Sequence, residues 1–394
     1  MRLLACQTTD LNAHAHSLGA LPRHQAGALI EMVKQAGLTG RGGAAFPTWR
    51  KLQAVASGRD QVVVANGAEG EPASRKDRVL LTTAPHLVLD GLQMAAAAVG
   101  ARSAYLYVPA GIAAFLGRIV GERRATGWDR AAVTVRASAD SFISGQESAV
   151  VAAIEGRKAV PYDARHRVVE WGIGGAPTLV QNVETLAHLA LIARHGPAWF
   201  REVGTRDEPG TMLVTLSGAV TAPGVSEAPI GTPIEAVLDA GGGPSGPLQA
   251  VLVGGYHGAW IPADSGLRLS KADLAEHGAS PGAGVLIALP RTACGLHETA
   301  RIVDYLAGES ARQCGPCLNG LPHLASLVGR LAAGERRPEL PTQVGQLCRL
   351  LVRRGACQHP DGTTRLVRSM LRTFSAELDR HLHGHCAAAL EAVR

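Results

Sequence analysis

The sequence predicts an α/β chain that becomes wholly helical toward its carboxyl-terminal end. Three observations carry this expectation. Short β-branched runs alternate with amphipathic stretches through residues 1–200, the pattern of a parallel sheet covered by helices on both faces. Residues 295–394 carry apolar residues at helical spacing. Glycine is abundant, at 47 residues, and aromatics make up only 4%, which suits many tight turns. A chain of 394 residues holds two or three domains.

In order, HQAGALIEMVKQAG (24–37) has helical spacing, and QVVVAN (61–66), SAYLYVPA (103–110) and AAVTVRAS (131–138) read as strands. Helices are expected around 86–99 and 110–121. The run LVLDGLQMAAAAVG (87–100) carries Asp90 and Gln93, so it reads as a buried helix and not as a membrane span. Residues 204–290 change character. TMLVTLSGAV (211–220) is strand-like, TAPGV turns, GTPIEAVLDAGGG (231–243) is a short helix with a glycine stop, and LQAVLVGGYHGAWI (248–261) is strand-like again. That succession resembles a small β-grasp, ubiquitin-like module. The last part, 291–394, offers helices at 296–308, 321–334, 341–354 and 363–382, joined by short loops in the manner of a four-helix bundle. The expected division is therefore 1–203, 204–290 and 291–394.

The net charge is +6 and the pI near 9.1. No Lys/Arg stripe interleaves with aromatics, which argues against nucleic acid; the balance suits phosphorylated cofactors and acidic redox partners such as ferredoxins. No apolar run reaches the roughly 20 residues of a membrane span, and MRLLAC lacks the apolar stretch of a signal peptide. Seven cysteines, two of them in a Cys-x-x-Cys pair, point to metal chemistry in a reducing, cytoplasmic compartment.

The most informative run is GRGGAAFPTWRK (40–51). Gly40, Gly42 and Gly43 let the backbone approach a ligand closely, and successive N–H groups in such a loop form a concavity for an anion. Arg41 and Lys51 add positive charge and Phe46 an aromatic face. Together they predict a phosphorylated, planar cofactor.

This loop resembles the flavin-binding loop of the NADH-oxidising, FMN-bearing component of respiratory complex I, a type of polypeptide also found in bidirectional hydrogenases and NAD-linked formate dehydrogenases. Four further segments resemble that family in the same order: NGAEGEPASRKDR (66–78), SGQESAVVAAIEGR (144–157), PTLVQNVETL (177–186), and CGPC (314–317) with Cys357. The resemblance runs from about residue 20 to about 380 and implies a Rossmann-like FMN-binding domain, with a β-grasp module and a helical iron–sulfur region behind it. It assigns Gly42, Gly43, Ala44 and Lys51 to the phosphate and ribityl chain, and Asn66 and Glu69 to the next loop. Gly145, Glu147, Asn182 and Thr185 close the pocket. Glu69, Glu71 and Glu147 are the carboxylates that position nicotinamide and ribose in the family. No catalytic residue is expected beyond the flavin.

Several positions depart from the family. Ala68 stands where the family has an aspartate, Gln146 replaces the first of a glutamate pair, and Gln181 the first of an asparagine pair. The segment 158–176 has no counterpart of the phenylalanine that stacks on the dinucleotide, and the aromatic expected soon after Lys51 is absent; Tyr162 and Trp171 are the candidate substitutes. The cluster pattern of four cysteines is also incomplete, because Ala311 occupies the first position. Cys314, Cys317 and Cys357 remain as ligands of a 4Fe-4S centre. His359, Gln313 and water are the open choices for the fourth ligand, and zinc on Cys314, Cys317, Cys357 and His359 is the metal alternative. The helix between Cys294 and Cys314 makes Cys294 an awkward ligand, Cys348 reads as core, Cys6 and Cys386 read as free thiols, and HLHGHC (381–386) reads as a solvated terminus, with adventitious metal chelation as its alternative.

The implied function is electron transfer from NAD(P)H through FMN to a 4Fe-4S cluster and on to a ferredoxin-like acceptor or another oxidoreductase subunit. The altered pocket leaves two alternatives: a relay between proteins that does not use NADH, or a non-catalytic scaffold subunit.

Overall fold

In the computed structural model, residues 2–163 and 166–388 are described. The β-branched run Val62–Asn66 forms β1, flanked by the parallel strands β2 (Ser103–Pro109), β3 (Ala132–Ser138) and β4 (Thr178–Asn182) in the order β3-β2-β1-β4. The chain steps from β1 to β2 and β3 on one side and then returns to β4 on the other. The strand order reverses between β1 and β4, and ligands bind beyond the carboxyl ends of strands at such a point. Asn66 and Asn182, the last residues of those two strands, are register partners.

The helices Pro85–Val99 and Val183–Arg201 pack against one another beside this sheet. They approach so closely that a Cβ on Gly91 would lie 1.9 Å from the Leu186 carbonyl oxygen. The stretch read as a buried helix is one, and its two polar residues are both satisfied. Gln93 binds the backbone of Arg130 and Ala131. The Asp90 carboxylate accepts from Arg123 at 2.7 Å, His14 at 2.8 Å, Trp128 at 3.0 Å and Arg194 at 2.5 Å.

A second sheet contains β5 (Thr211–Gly218), β6 (Gly224–Pro229), β7 (Leu248–Val253), β8 (Ala259–Pro262) and β9 (Val285–Pro290) in the order β6-β5-β9-β7-β8. β5 and β9 run parallel, and β7 is antiparallel to both β8 and β9. The helix Ile234–Asp239 connects the β5–β6 pair to β7. The helices that follow are Gly295–Gly308, Leu321–Ala332, Leu340–Leu351, His359–Thr373 and Ser375–Leu382. The helix expected over 363–382 is thus two helices. The break falls at Phe374, whose ring occupies the space that a side chain on Gly295 would fill, 2.4 Å from its ideal Cβ. Trp260 of β8 packs edge-on against Phe374 and donates its indole N–H to Thr299 at 2.9 Å, which anchors this sheet to the helices.

By contacts the chain divides into two compact units, residues up to Val214 with Glu227–Gly231, and Thr215–Ser226 with residues from Thr232 onward. Among the described residues no helix is long and apolar enough to cross a membrane.

Asp90 sets the stability of the first unit. Burial disfavours its charge, but His14 and the two arginines outweigh that and hold its carboxyl well below the ordinary aspartate range. A group depressed in the folded state stabilises the fold above its unfolded pKa, near 4, and that contribution is lost as pH falls through its folded value. Asp90→Asn leaves the buried Arg194 guanidinium without a carboxylate and Arg123 with Asp129 alone, and is expected to cost about 3 kcal/mol. In urea titrations the variant should also lose this part of the acid-side decline. Unchanged midpoints at neutral pH would contradict it.

Candidate functional site

The crevice beyond the carboxyl ends of β1 and β4 gathers the glycine-rich segments. The loop 40–46 is pinned at its base, where Gly40 donates to the Phe46 carbonyl at 2.9 Å and Thr39 bridges Pro47. Gly43 has φ +106, which side chains rarely adopt, and a Cβ on Gly42 would meet the Asn182 Cβ at 3.4 Å. Gly42, Ala44 and Phe46 are exposed. Among the described residues, the N–H groups of Gly42, Gly43 and Ala44 have no intramolecular acceptor. Consecutive free amides on a glycine crest fit an anion such as a phosphate.

Arg41 plays a different part from the one expected of it. Its side chain is buried, not directed at a ligand, and donates to the Thr211, Thr39 and Pro209 carbonyls and the Thr39 hydroxyl at 2.8–3.4 Å. Its own N–H donates to the Thr185 hydroxyl at 2.8 Å, so buried Thr185 supports the loop from below. Sequence shows that a charge sits between glycines but not which way it points.

The other expected residues divide between lining and support. Asn66 donates to the Gly145 carbonyl at 2.8 Å, joining two of the loops. A Cβ on Gly70 would lie 2.5 Å from the Phe142 carbonyl oxygen, so these loops pack backbone against backbone. Lys51 and Glu147 form an ion pair at the edge of the crevice. Glu69 is positioned as a cap. Its carboxylate accepts from the Asp77 and Arg78 amides at 2.8 and 3.0 Å and from the Ser74 hydroxyl at 2.7 Å, at the start of the helix Lys76–Thr83. Burial, then Asp77, push its pKa up. Glu71 accepts from the Ala73 amide at 3.2 Å. Both carboxylates therefore order their own loop.

Lys76 was not singled out from sequence, where it looks like one charge in SRKDR. It is buried, and its ammonium pairs with Asp77 at 2.7 Å and Glu184 at 2.8 Å and reaches Asn182 at 3.3 Å. Burial lowers its affinity for a proton, but the two carboxylates outweigh that and keep it charged. Asn182 in turn donates to Asp77 at 2.7 Å and caps the helix Val183–Arg201. The crevice floor is a closed ionic network under Gly42.

Of the candidate aromatics, Phe46 is 43% and Trp171 63% exposed. Tyr162 lies under the Arg157 guanidinium, 4.9 Å from it. Ala164 and Arg165 of the altered segment lie outside the described residues.

In the second unit, Cys314 sits in the turn before the π-helix Pro316–Gly320, Cys317 within it, and Cys357 just before the helix His359–Thr373. Burial pushes the Cys317 thiol up to about 12, with the adjacent Cys314 and then Cys357 adding to the effect. Burial, and after it Cys314, also raise Cys357. The backbone amides of Arg312 and His359 lie where they favour the Cys317 and Cys357 thiolates respectively. Such amide donors tune cluster thiolates. Three thiols from around the π-helix and the start of the helix His359–Thr373 converge here, with Cys314 and Cys357 both close enough to Cys317 to raise its pKa. An all-sulfur donor set of this kind fits an iron–sulfur centre. Both ring nitrogens of His359 have protein partners: its Nε2–H donates to the Leu306 carbonyl at 2.7 Å and its Nδ1 faces the His257 Nε2 at 3.1 Å. Gln313 is exposed. Cys348 is buried core, as expected, but the HLHGHC run is not simply solvated, since His381 is buried.

A glycine-rich anion cradle at an α/β switch point, with a cysteine-bearing helical region further along the chain, defines a flavin- and iron–sulfur-type electron-transfer protein. The match to known families agrees. Residues 33–191 match the family described as Nuo51 FMN-binding domain, and residues 297–381 match the NADH-ubiquinone oxidoreductase-F iron–sulfur binding region. An F subunit of NADH-quinone oxidoreductase from Rhizobium meliloti (strain 1021), the second of that name, is 31% identical over 92% of this chain and 90% of its own length. The F subunit of the NADH-quinone oxidoreductase of Streptomyces coelicolor is 30% identical over 90% and 83%. Among solved structures, an NAD+-reducing [NiFe]-hydrogenase superposes with TM-score 0.85 at 30% identity over 92% of this chain; the chain spans 64% of that hydrogenase chain. The chain belongs to the family of NADH-quinone oxidoreductase F subunits.

The free amides at 42–44 depend on the backbone that Gly43 allows. Gly43→Val is expected to abolish FMN retention on purification while leaving the far-ultraviolet circular dichroism unchanged. Full flavin stoichiometry in a folded variant would contradict the cradle.

Proposed function

We propose that this chain is the NADH-oxidising component of a multi-subunit oxidoreductase, carrying electrons from NADH through FMN to a 4Fe-4S cluster. The observation that carries the reading is the row of unpaired amides at Gly42, Gly43 and Ala44 above Asn66 and Asn182. These amides and Lys51 would hold the phosphate, and Asn66, Gly145 and Asn182 would line the crevice for the ring and ribityl chain. Bound FMN supplies hydride acceptance and one-electron release. The protein's share is to orient the donor against the ring and to keep the loops closed, through the Arg41 and Lys76 networks. Phe46 is the aromatic left to stack on the donor. Because two stacking positions of the family are missing, NADH is expected to bind more weakly, by about 1 kcal/mol or roughly fivefold in KM for each lost aromatic.

Cys314, Cys317 and Cys357 would ligate the cluster, with a fourth iron site not held by cysteine because Ala311 offers no donor. The three-part division at 1–203, 204–290 and 291–394 remains our reading. The parallel β5–β9 pairing with the Ile234–Asp239 connection supports a β-grasp module, and the helices from Gly295 support a bundle around the thiols. For the acceptor we favour an acidic, ferredoxin-like protein. A cleft of about 670 Å³ beside Cys357 is lined by Arg353, Arg365, Arg368 and Arg372 with one acidic residue, Asp361.

Two outcomes test this. Anaerobically purified protein should show flavin and iron–sulfur absorbance, and Cys357→Ser should lose the cluster iron and sulfide while keeping FMN and rapid flavin reduction by NADH in stopped flow. No flavin reduction by millimolar NADH would instead favour a relay between proteins. Arg365→Glu with Arg368→Glu should slow reduction of an acidic ferredoxin at least about tenfold at low salt, and rising salt should remove most of that difference. Equal rates at low salt would exclude this docking face.

A further inference from the structure

A second cluster of metal-binding side chains lies in the same unit, apart from the three cysteines described above. Cys294 precedes the helix Gly295–Gly308 as its N-cap. Glu377 and His381 stand one turn apart on the helix Ser375–Leu382, and Cys386 follows in the segment beyond it. Their four donor atoms all lie within 4.8 Å of one another. The Cys294 sulfur is 3.4 Å from His381 Nε2, which is 3.2 Å from Glu377 Oε1. The Cys386 sulfur lies within 4.8 Å of the donor atoms of both Cys294 and Glu377. Cys294, Glu377 and His381 are buried and Cys386 half-buried, while His383 and His385 of the same run lie outside the group.

The partners behind these groups orient them inward. His381 Nδ1–H donates to the Leu331 carbonyl at 3.3 Å, which leaves the Nε2 lone pair facing Cys294 and Glu377. One oxygen of Glu377, Oε2, is held by Arg380 at 2.7–2.8 Å. The other, Oε1, accepts the Ala387 N–H at 2.9 Å and faces His381. With Nδ1–H given to Leu331, Nε2 and Oε1 face each other in a buried place beside two thiols. A proton or a metal ion between them satisfies both, and the two thiols add the soft donors that a metal takes. Carbonyl-anchored imidazole and guanidinium-anchored carboxylate are the usual supports of metal ligands.

We propose that Cys294, Glu377, His381 and Cys386 bind one zinc(II) ion in a tetrahedral structural site. Two sulfurs, one imidazole nitrogen and one carboxylate oxygen are a borderline-soft donor set that suits zinc. All four positions come from the protein, so none is left for water or substrate, and the role is structural. The donors sit too close together for an iron–sulfur cubane and lie near the spacing a single ion requires. Binding replaces the two thiol protons, which leave to solvent as the two Zn–S bonds form. Burial, with Cys386 beside it, pushes the Cys294 thiol up to about 11, so at neutral pH its thiolate forms with the metal and not before it. The ion ties the end of the last described helix to the start of the first helix in this region.

The experiment measures zinc and iron by mass spectrometry on the full chain, purified from zinc-supplemented medium without chelators, and records the zinc K-edge absorption of the same sample. About one zinc per chain is expected, with two sulfur neighbours near 2.3 Å and two nitrogen or oxygen neighbours near 2.0–2.1 Å. Cys386→Ser should lower bound zinc at least about tenfold and leave iron and flavin unchanged, while Cys357→Ser should do the reverse. The wild-type spectrum decides the matter even where Cys386→Ser fails to fold. Zinc-free wild-type protein, or zinc retained in a folded Cys386→Ser variant, would overturn the proposal. So would a Cys294–Cys386 disulfide in peptides mapped without reduction. Zinc with three or more sulfur neighbours would place the ion on Cys314, Cys317 and Cys357 instead, overturning both this site and the cluster reading, whereas absent zinc with intact iron would overturn this site alone.

Discussion

The buried ammonium of Lys76 is the interaction on which the crevice depends. An isolated charge in a protein interior is costly, and the cost is recovered only where opposite charges and hydrogen bonds surround it. Here Asp77, Glu184 and Asn182 do so. Glu184 also accepts the Leu213 N–H at 2.8 Å, and Asn182 reaches Asp77. One cation therefore links the segment after β1, the end of β4, the helix after β4 and the start of β5. Each of the first two carries part of the cofactor crevice. Removing Lys76 leaves the Asp77 and Glu184 carboxylates buried without the cation between them, so the network fixes the relative positions of loops that share no regular secondary structure.

Arg41 repeats this logic one layer higher. Its guanidinium is spent on backbone carbonyls that loops leave unpaired, and burial, outweighing Glu184, lowers its pKa without a prospect of neutralising so strong a base. The glycine crest is thereby held rigidly from beneath while its outward amides stay free. Preorganised donors of this kind bind an anion without first giving up internal hydrogen bonds.

Much of this was legible in sequence. Strands β1, β2 and β3 are runs of β-branched, aromatic and aliphatic residues, and the helix Pro85–Val99 is mostly apolar on every side, as a buried helix is. β4 does not stand out in sequence, because it is only five residues long, ends in the polar pair Gln181 and Asn182 and runs directly into a helix. The break at Phe374 escaped notice because it needs neither glycine nor proline; a ring from one helix filling the space over Gly295 is a tertiary effect. At the site, the glycines and the Cys-x-x-Cys pair announce themselves because their chemistry is local. Arg41, Glu69, Lys76 and His381 do not, since their roles rest on burial and on partners up to 170 residues away.

The cysteine pattern shows the same limit from the other side. Read along the chain, Cys294 and Cys386 are 92 positions apart with other cysteines between them, and no motif relates them. Read in space, the thiols separate by environment. Cys348 is closed in an apolar stripe, and Cys314, Cys317 and Cys357 meet over amide donors. Cys294 and Cys386 meet over an oriented imidazole and carboxylate. Donor type distinguishes the last two groups: the first offers sulfur alone, as a cluster takes, and the second mixes sulfur, nitrogen and oxygen within 4.8 Å, as a single ion takes. Chain spacing alone cannot complete either group, because each is assembled by packing between helices, and in this chain the loss of a cysteine at Ala311 leaves that packing to define which thiols still belong together.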